Sequence, residues 1–400
     1  MTSAVPRLVE LDMMRGFAVA GMILVVSPGD WAMTYAQLRH AAWHGWTLAD
    51  MVFPVFLFSV GVSLGLSFPR RWQGEEDRRP FRRRVLRRVG LLIIIGLLLE
   101  YTFNLSIAAF GGTIGSPGLK NLRIPGILQR IALCYLLAVL LVIGTGKRDA
   151  GGRITLRPHA IGGVIAVLLI GYWVLLTVTP VPGYGAGRLD PEGNLGAYLD
   201  RRLFTAAHLW PLGWVEWGGP VVYDPEGLLS TLPATANTLF GVLAAWVWKD
   251  RRGRAGMIMG ATGLAAVVTG LLLDPVFVIN KRIWTSSFAL LSGGFAGLIF
   301  AGLIWPSRRG RSASTLVPLQ VLGGNAILAF IISTLMGRVY DLPIIRAGGD
   351  MVAPRSWLNG IALNIFSDPY QASTACAVLF VALVTVLLWP LHRRAFHFRL

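Results

Sequence analysis

Apolar runs of bilayer-spanning length recur from one end of this 400-residue chain to the other. Ten are read, at roughly 8–27, 47–68, 86–103, 124–145, 159–178, 227–248, 255–273, 284–305, 316–337 and 371–390. Each reaches across ~30 Å of hydrocarbon once tilt is allowed for. Membrane-spanning strands are shorter and alternate in polarity, so these runs read as helices. Only 14% of residues are charged, against about 25% in a soluble protein, and mean hydropathy is +0.60. The expected fold class is an all-α integral membrane protein, a polytopic bundle of about ten transmembrane helices. It is read as a single domain over residues 1–400 with one long connection at about 179–226.

The net charge of +17 would suit nucleic acid, but the placement of the charge argues against it. Of 37 Lys and Arg residues, 25 lie in one alternating set of connections and at the two ends, including RRWQGEEDRRPFRRRVLRR, KRDAGGRITLR, KDRRGR and SRRGR. Basic residues accumulate on the cytoplasmic side of a membrane. Both termini are therefore expected in the cytoplasm, with the stretch LRHAAWHGWTLADMVFP at 38–54 and the long connection on the other face. A cell (inner) membrane location follows. Cys134 and Cys376 both sit inside apolar runs, so a disulfide framework or cysteine metal site is not expected. Phe17–Val26 could pass for a signal-peptide core, but Glu10 and Asp12 precede it and no A-x-A site follows, so it is read as a retained helix.

Ionisable groups at membrane depth cost at least ~2.5–3.5 kcal/mol each, so each needs a reason. His40 and His44 are four apart and on a helix would share a face; a third metal ligand is not evident, and no metal is expected. Two readings remain for the pair. They are interfacial histidines at the headgroup level, or one is a general base, since neutral imidazole works near pH 7 and needs a partner to fix its tautomer. Asp50 is the candidate partner, although Thr47-Leu48-Ala49-Asp50 also reads as a capping box. One carboxylate oxygen can cap while the other accepts from imidazole. Asp12 and Arg15 suit a local ion pair. Asp224-Pro225-Glu226 suits the start of the sixth helix, with Asp as N-cap and Pro at N1. Glu100, Gln129, Arg130, Asp274, Asn280, Lys281 and Asn325 should face the bundle interior or a water-filled cavity. Trp46, Trp217 and Trp284 read as an aromatic belt. Neither a G-x-x-x-x-G-K-[ST] phosphate loop nor a G-x-S-x-G elbow is present.

Six blocks carry a resemblance. They are LDMMRGFAVAGMILV at 11–25, HAAWHGWTLADMVFPVFLFSVGVSL at 40–64, RIPGILQRIALCYLLA at 123–138, DPEGLLSTLPA at 224–234, INKRIWTSSFALLSGG at 279–294 and GGNAILAFIIS at 323–333. In this order they resemble the heparan-α-glucosaminide N-acetyltransferase family, including its shorter bacterial relatives. The resemblance implies an acyltransferase that takes acetyl from cytoplasmic acetyl-CoA and delivers it to the amine of a glucosamine-type sugar across the membrane. It places the catalytic histidine at His40, in H-A-x-W, with Asp50 before V-F-P. His44, Arg123, Gln129, Arg130, Asn280 and Lys281 are then the candidate substrate-binding residues. Arginines and lysines on the cytoplasmic side would take the phosphates of acetyl-CoA. Relatives carry Asn near the end of the first helix, where VVSPG here has Val26; Ser27 is one residue along and about 100° round the helix.

His40 could act as general base or carry acetyl as an acyl-imidazole, and both remain open. Trp210, Trp214, Trp217 and Tyr223 would suit stacking on a sugar, as they would a belt. The partners implied are membrane lipid, acetyl-CoA and an amino-sugar acceptor, with a homodimer implied by the resemblance and no nucleic acid. Two rivals from other classes fit the same features: a transporter of an amino sugar or small polar solute, and an inactive membrane partner protein. Neither would consume acetyl-CoA.

Overall fold

The computed structural model describes residues 8–72, 74–109, 119–212, 220–307 and 316–398. Nine of the ten apolar runs form one helix each, and the run at 316–337 forms two. In chain order they are α1 (Val9–Val26), α2 (Leu48–Arg71), α3 (Arg78–Ala109), α4 (Ile127–Thr145) and α5 (Pro158–Val178). After a short helix α6 (Leu195–Phe204) come α7 (Thr231–Asp250), α8 (Ala255–Leu272) and α9 (Ser286–Ser307). The chain ends with α10 (Val317–Gly324), α11 (Ala326–Tyr340), a short α12 (Pro354–Leu363) and α13 (Pro369–Arg393). Two small antiparallel hairpins, Lys147–Arg148 with Ile154–Thr155 and Ile345–Ala347 with Asp350–Val352, are the strands among the described residues.

Among the described residues seven helices, α2, α3, α4, α5, α8, α9 and α13, are long and apolar enough to cross a membrane. The run read at 316–337 is a broken span. Its halves α10 and α11 meet at 87°, with Asn325 at the break. The Asn325 side chain is spent on the C-terminal segment: Nδ2 donates to Phe396 O and Oδ1 accepts from Phe398 N. The chain is thus an all-α, multi-pass membrane protein.

Glycine sets the closest packing, as expected where lipid removes the hydrophobic drive between helices and small residues let backbones approach. A Cβ on Gly61 of α2 would lie 1.8 Å from Thr238 O of α7, and one on Gly241 of α7 2.0 Å from Phe58 O. Gly16 of α1 and Gly323 of α10 meet in the same way. α2 packs on α7 and α8 on α9, while α1 holds α2, α10 and α13. α7 runs through the interior, with Thr231, Thr235, Asn237 and Thr238 all buried.

Candidate active site

The connection between α1 and α2 is non-helical over residues 39–47, so His40 and His44 do not share a helix face. Each instead finds its own partner. His40 Nδ1 lies 2.7 Å from Asp50 Oδ1. Asp50 is buried in the first turn of α2, and its second oxygen accepts from Thr47 N at 2.9 Å and Ala41 N at 3.2 Å. One carboxylate therefore caps the helix and orients the imidazole at once. Because a carboxylate only accepts, Nδ1 carries the proton and Nε2 is left as the free base. The Thr47 hydroxyl donates to Arg39 O, and Leu48 N to Gln37 Oε1, which ties the strand bearing His40 to the start of α2.

The far end of this connection is fixed by the segment between α8 and α9. Gly45 N donates to Ile279 O at 2.8 Å, and Asn280 Nδ2 lies 3.4 Å from His44 Nδ1. Asn280 is buried and accepts from Ile283 N, so its amide is oriented before any ligand arrives. Lys281 and Arg282, next in sequence, are buried beside His40. Burial, then the Lys281 charge, brings His40 down to about 4 against the pull of Asp50. The imidazole is neutral at physiological pH. Its side chain keeps 30% exposure.

A second buried group lies where the segment before α4 meets the segment before α7. Arg123 donates through Nε and Nη2 to the two oxygens of Asp224, at 2.9 and 2.7 Å, and also reaches Glu226 and Glu100. Burial opposes its charge, but Asp224 and Glu100 hold the guanidinium pKa well above the ordinary value. Glu226 is held below its ordinary value, since Arg123, Lys281 and Arg130 outweigh its burial. This corrects the helix-start reading of Asp224-Pro225-Glu226. α7 begins at Thr231, and Asp224 instead closes a turn through Glu226 N while its carboxylate is drawn to Arg123.

Arg130 enters from the first turn of α4. Nη2 donates to Gly227 O at 2.7 Å and to the Ser230 hydroxyl, and the guanidinium lies 5.3 Å from the Trp284 ring centre. Its Nε and Nη1 are buried without a hydrogen-bond partner. Gln129 turns the other way, against Gly96 of α3, and its Nε2 is also unpartnered. Trp284 is not a belt residue. It is fully buried with φ +52, and its Nε1 donates to Asn237 Oδ1 at 3.0 Å. Trp46 does sit half-buried at the helix end, against Phe295.

Above these groups Trp43, Tyr223 and Trp210 form an aromatic run, with ring centres 4.9 and 6.4 Å apart. The Arg282 and Arg123 guanidinium groups lie 5.3 and 6.0 Å from the Trp210 ring. Trp43 was not singled out in the sequence; its WHG neighbourhood was the available signal. Trp214 and Trp217 lie outside the described residues. Val26 at the end of α1 is 55% exposed, whereas Ser27 is buried. Asp12 and Arg15 form the expected ion pair at 3.2 Å. Among the described residues no group of three or more metal-ligating side chains comes together.

Comparison with known proteins bears on this site. The family model described as heparan-alpha-glucosaminide N-acetyltransferase, catalytic, matches residues 7–150, which include His40, Asp50, Arg123, Gln129 and Arg130. The human protein named heparan-alpha-glucosaminide N-acetyltransferase is 28% identical over 359 residues, covering 82% of this chain and 52% of that protein. The mouse protein of the same name is 28% identical over 363 residues, covering 82% and 53%. The chain therefore spans about half the length of the curated relatives it matches. Over residues 7–150 the chain is thus similar to the heparan-alpha-glucosaminide N-acetyltransferase catalytic family, and over 82% of its length to the two mammalian proteins of that name.

Proposed function

We propose that the protein is a transmembrane acetyltransferase that moves acetyl from cytoplasmic acetyl-CoA to the amine of a glucosamine-type sugar on the opposite face. The observation that carries the reading is the His40–Asp50 pair: a neutral imidazole whose tautomer is fixed by a 2.7 Å contact with Asp50, on a partly exposed side chain. The pair lies at the start of α2, whereas the Arg-rich connection that opens α3 lies at the other end of α2. In the proposed orientation the Arg-rich connections and both termini are cytoplasmic. Ten crossings result when α1, α7 and the broken α10–α11 are counted, and the membrane is the cell (inner) membrane. Residues 1–400 act as one domain.

In the proposed reaction His40 Nε2 removes a proton from the acceptor nitrogen as that nitrogen bonds to the thioester carbonyl carbon. The C–S bond then breaks, and the proton leaves with the thiol. Asp50 holds the imidazole ring and stabilises its charged form, as the acid of a triad does. A positioned base of this kind is worth ~10²–10⁴-fold. The same Nε2 is placed to take the acetyl group itself, which keeps an acetyl-imidazole route open. The Lys281 charge beside His40 and the unpartnered Nε and Nη1 of Arg130 make these side chains the proposed oxyanion donors, with Asn280 orienting the segment that carries Lys281. The Trp43–Tyr223–Trp210 run is the proposed platform for the sugar ring.

The test is release of free thiol from acetyl-CoA by purified protein in the presence of glucosamine, beside His40→Ala. Amine-dependent release that is lost in the variant is expected. Folded wild-type protein that moves an amino sugar across a vesicle without releasing thiol would establish the transporter reading instead.

A further inference from the structure

A cleft of 460 Å³ lies among α5, α7, α8 and α9, far along the bundle from His40. That volume falls within the ~300–1,000 Å³ of small-molecule sites. Gly162 of α5, Gly263 of α8 and Gly293, Gly294 and Gly297 of α9 line it, and a Cβ at Gly162 would meet nothing within 4 Å. The rest of the lining is largely apolar: Phe58, Phe240, Leu243, Val247, Ile258 and Met259. The Thr262 hydroxyl in the wall is spent on Ile258 O of its own helix. α5 and α8 are mostly lipid-facing, with 28% and 22% of their apolar windows inside the protein. A cleft between two such helices opens sideways into the bilayer.

One end of the cleft is basic. α5 starts, α7 ends and α8 starts at the same level, and exposed Arg157, His159, Lys249, Arg251, Arg252 and Arg254 stand within about a turn of the lining residues. The acid among them, Asp250, is paired with Arg251 at 3.0 Å. An apolar slot with a cationic rim at the helix ends matches a molecule with an acyl tail and an anionic headgroup. The largely apolar wall suits an acyl chain better than the pantetheine arm of coenzyme A, whose amides need polar partners.

We propose that the cleft holds an acyl chain of an anionic phospholipid whose phosphate is bound by the rim arginines. The inference does not depend on the acetyltransferase reading, because it is read out by lipid retention and not by turnover. The experiment reconstitutes the full chain in nanodiscs of phosphatidylcholine with a minor fraction of phosphatidylglycerol and identifies the lipid carried through purification by native mass spectrometry. Retained phosphatidylglycerol is expected. The double variant Arg157→Gln, Arg254→Gln should weaken retention about thirtyfold, the loss that two basic residues near an anionic surface carry. Gly162→Leu should abolish it without loss of fold, since a Cβ at Gly162 meets nothing within 4 Å and the added chain fills the slot. Equal retention of phosphatidylcholine, or phosphatidylglycerol retention unchanged in Gly162→Leu, would overturn the proposal. Displacement of the lipid by acetyl-CoA would overturn it too, and would assign the cleft to the donor.

Discussion

Asp50→Asn separates the two duties that Asp50 carries, because an amide cannot perform both. The carboxylate accepts on every side: from His40 Nδ1 at 2.7 Å on one oxygen, and from Thr47 N and Ala41 N on the other. If the amide oxygen keeps the two backbone N–H groups, the amide NH₂ faces His40 and forces its proton onto Nε2. The base is then lost. If the oxygen turns to His40, the NH₂ confronts two N–H donors, and the first turn of α2 loses its cap. The first arrangement keeps more hydrogen bonds, so the wrong tautomer is the expected outcome. The rate should fall ~10²–10⁴-fold, the full worth of a positioned base. At ~1.36 kcal/mol per decade this is ~3–5 kcal/mol of transition-state stabilisation. Stability should fall by much less, about 0.5–2 kcal/mol for a weakened cap. The assay is amine-dependent thiol release from acetyl-CoA, with kcat and KM resolved and thermal unfolding in detergent run in parallel. The loss should sit in kcat and leave KM for acetyl-CoA nearly unchanged. A folded variant with wild-type kcat would refute the argument, and so would a kcat loss that merely tracks unfolding.

Four further outcomes are expected. With His40 held near 4, kcat/KM should climb through about pH 4 and show no His40 step near 6.5; a profile that turns at 6.5 would show that the site does not suppress imidazole protonation. The same depression makes the unfolded chain the better proton acceptor between about 4 and 6.5, so stability should decline as pH falls through that window, as pH-dependent unfolding would show. Arg123→Met leaves Asp224, Glu226 and Glu100 buried without their counter-charge, which should cost about 3–5 kcal/mol in unfolding measurements; a shift under 1 kcal/mol would mean that Arg130 and Lys281 already compensate. Gly61→Ala should prevent α2 from seating on α7, seen as loss of monodisperse protein on size exclusion, whereas Gly162→Ala should behave as wild type.

The helices were legible because bilayer thickness writes itself into sequence as apolar length. The break at Asn325 was not, since nothing in GGNAILAF gives an 87° turn or a side chain bonded to Phe396, 71 residues away. The pairing of His40 with Asp50 was open to a local argument, because Thr47 to Asp50 is a capping pattern and the histidine is ten residues off. Asp224 and Glu226 misled for the opposite reason. Their local pattern suits a helix start, but Arg123, 101 and 103 residues earlier, claims both carboxylates. Trp284 misled because interfacial and buried tryptophans look alike until the acceptor, Asn237, is known. Local chemistry was readable, and charge pairing across the bundle was not.

The bond from Gly45 to Ile279 also has a consequence in time. Asn280 lies 236 residues after His44. At about 5–20 residues per second of synthesis, His40 and Asp50 leave the ribosome roughly 12–50 s before the segment that braces their loop exists. During that interval α1 and α2 are already made, yet Lys281 is absent and cannot tune the imidazole. A nascent chain halted before residue 279 should carry the histidine and the aspartate as an ordinary interfacial loop. The site matures late in synthesis, when the membrane around it is already occupied by the long helices that precede residue 279.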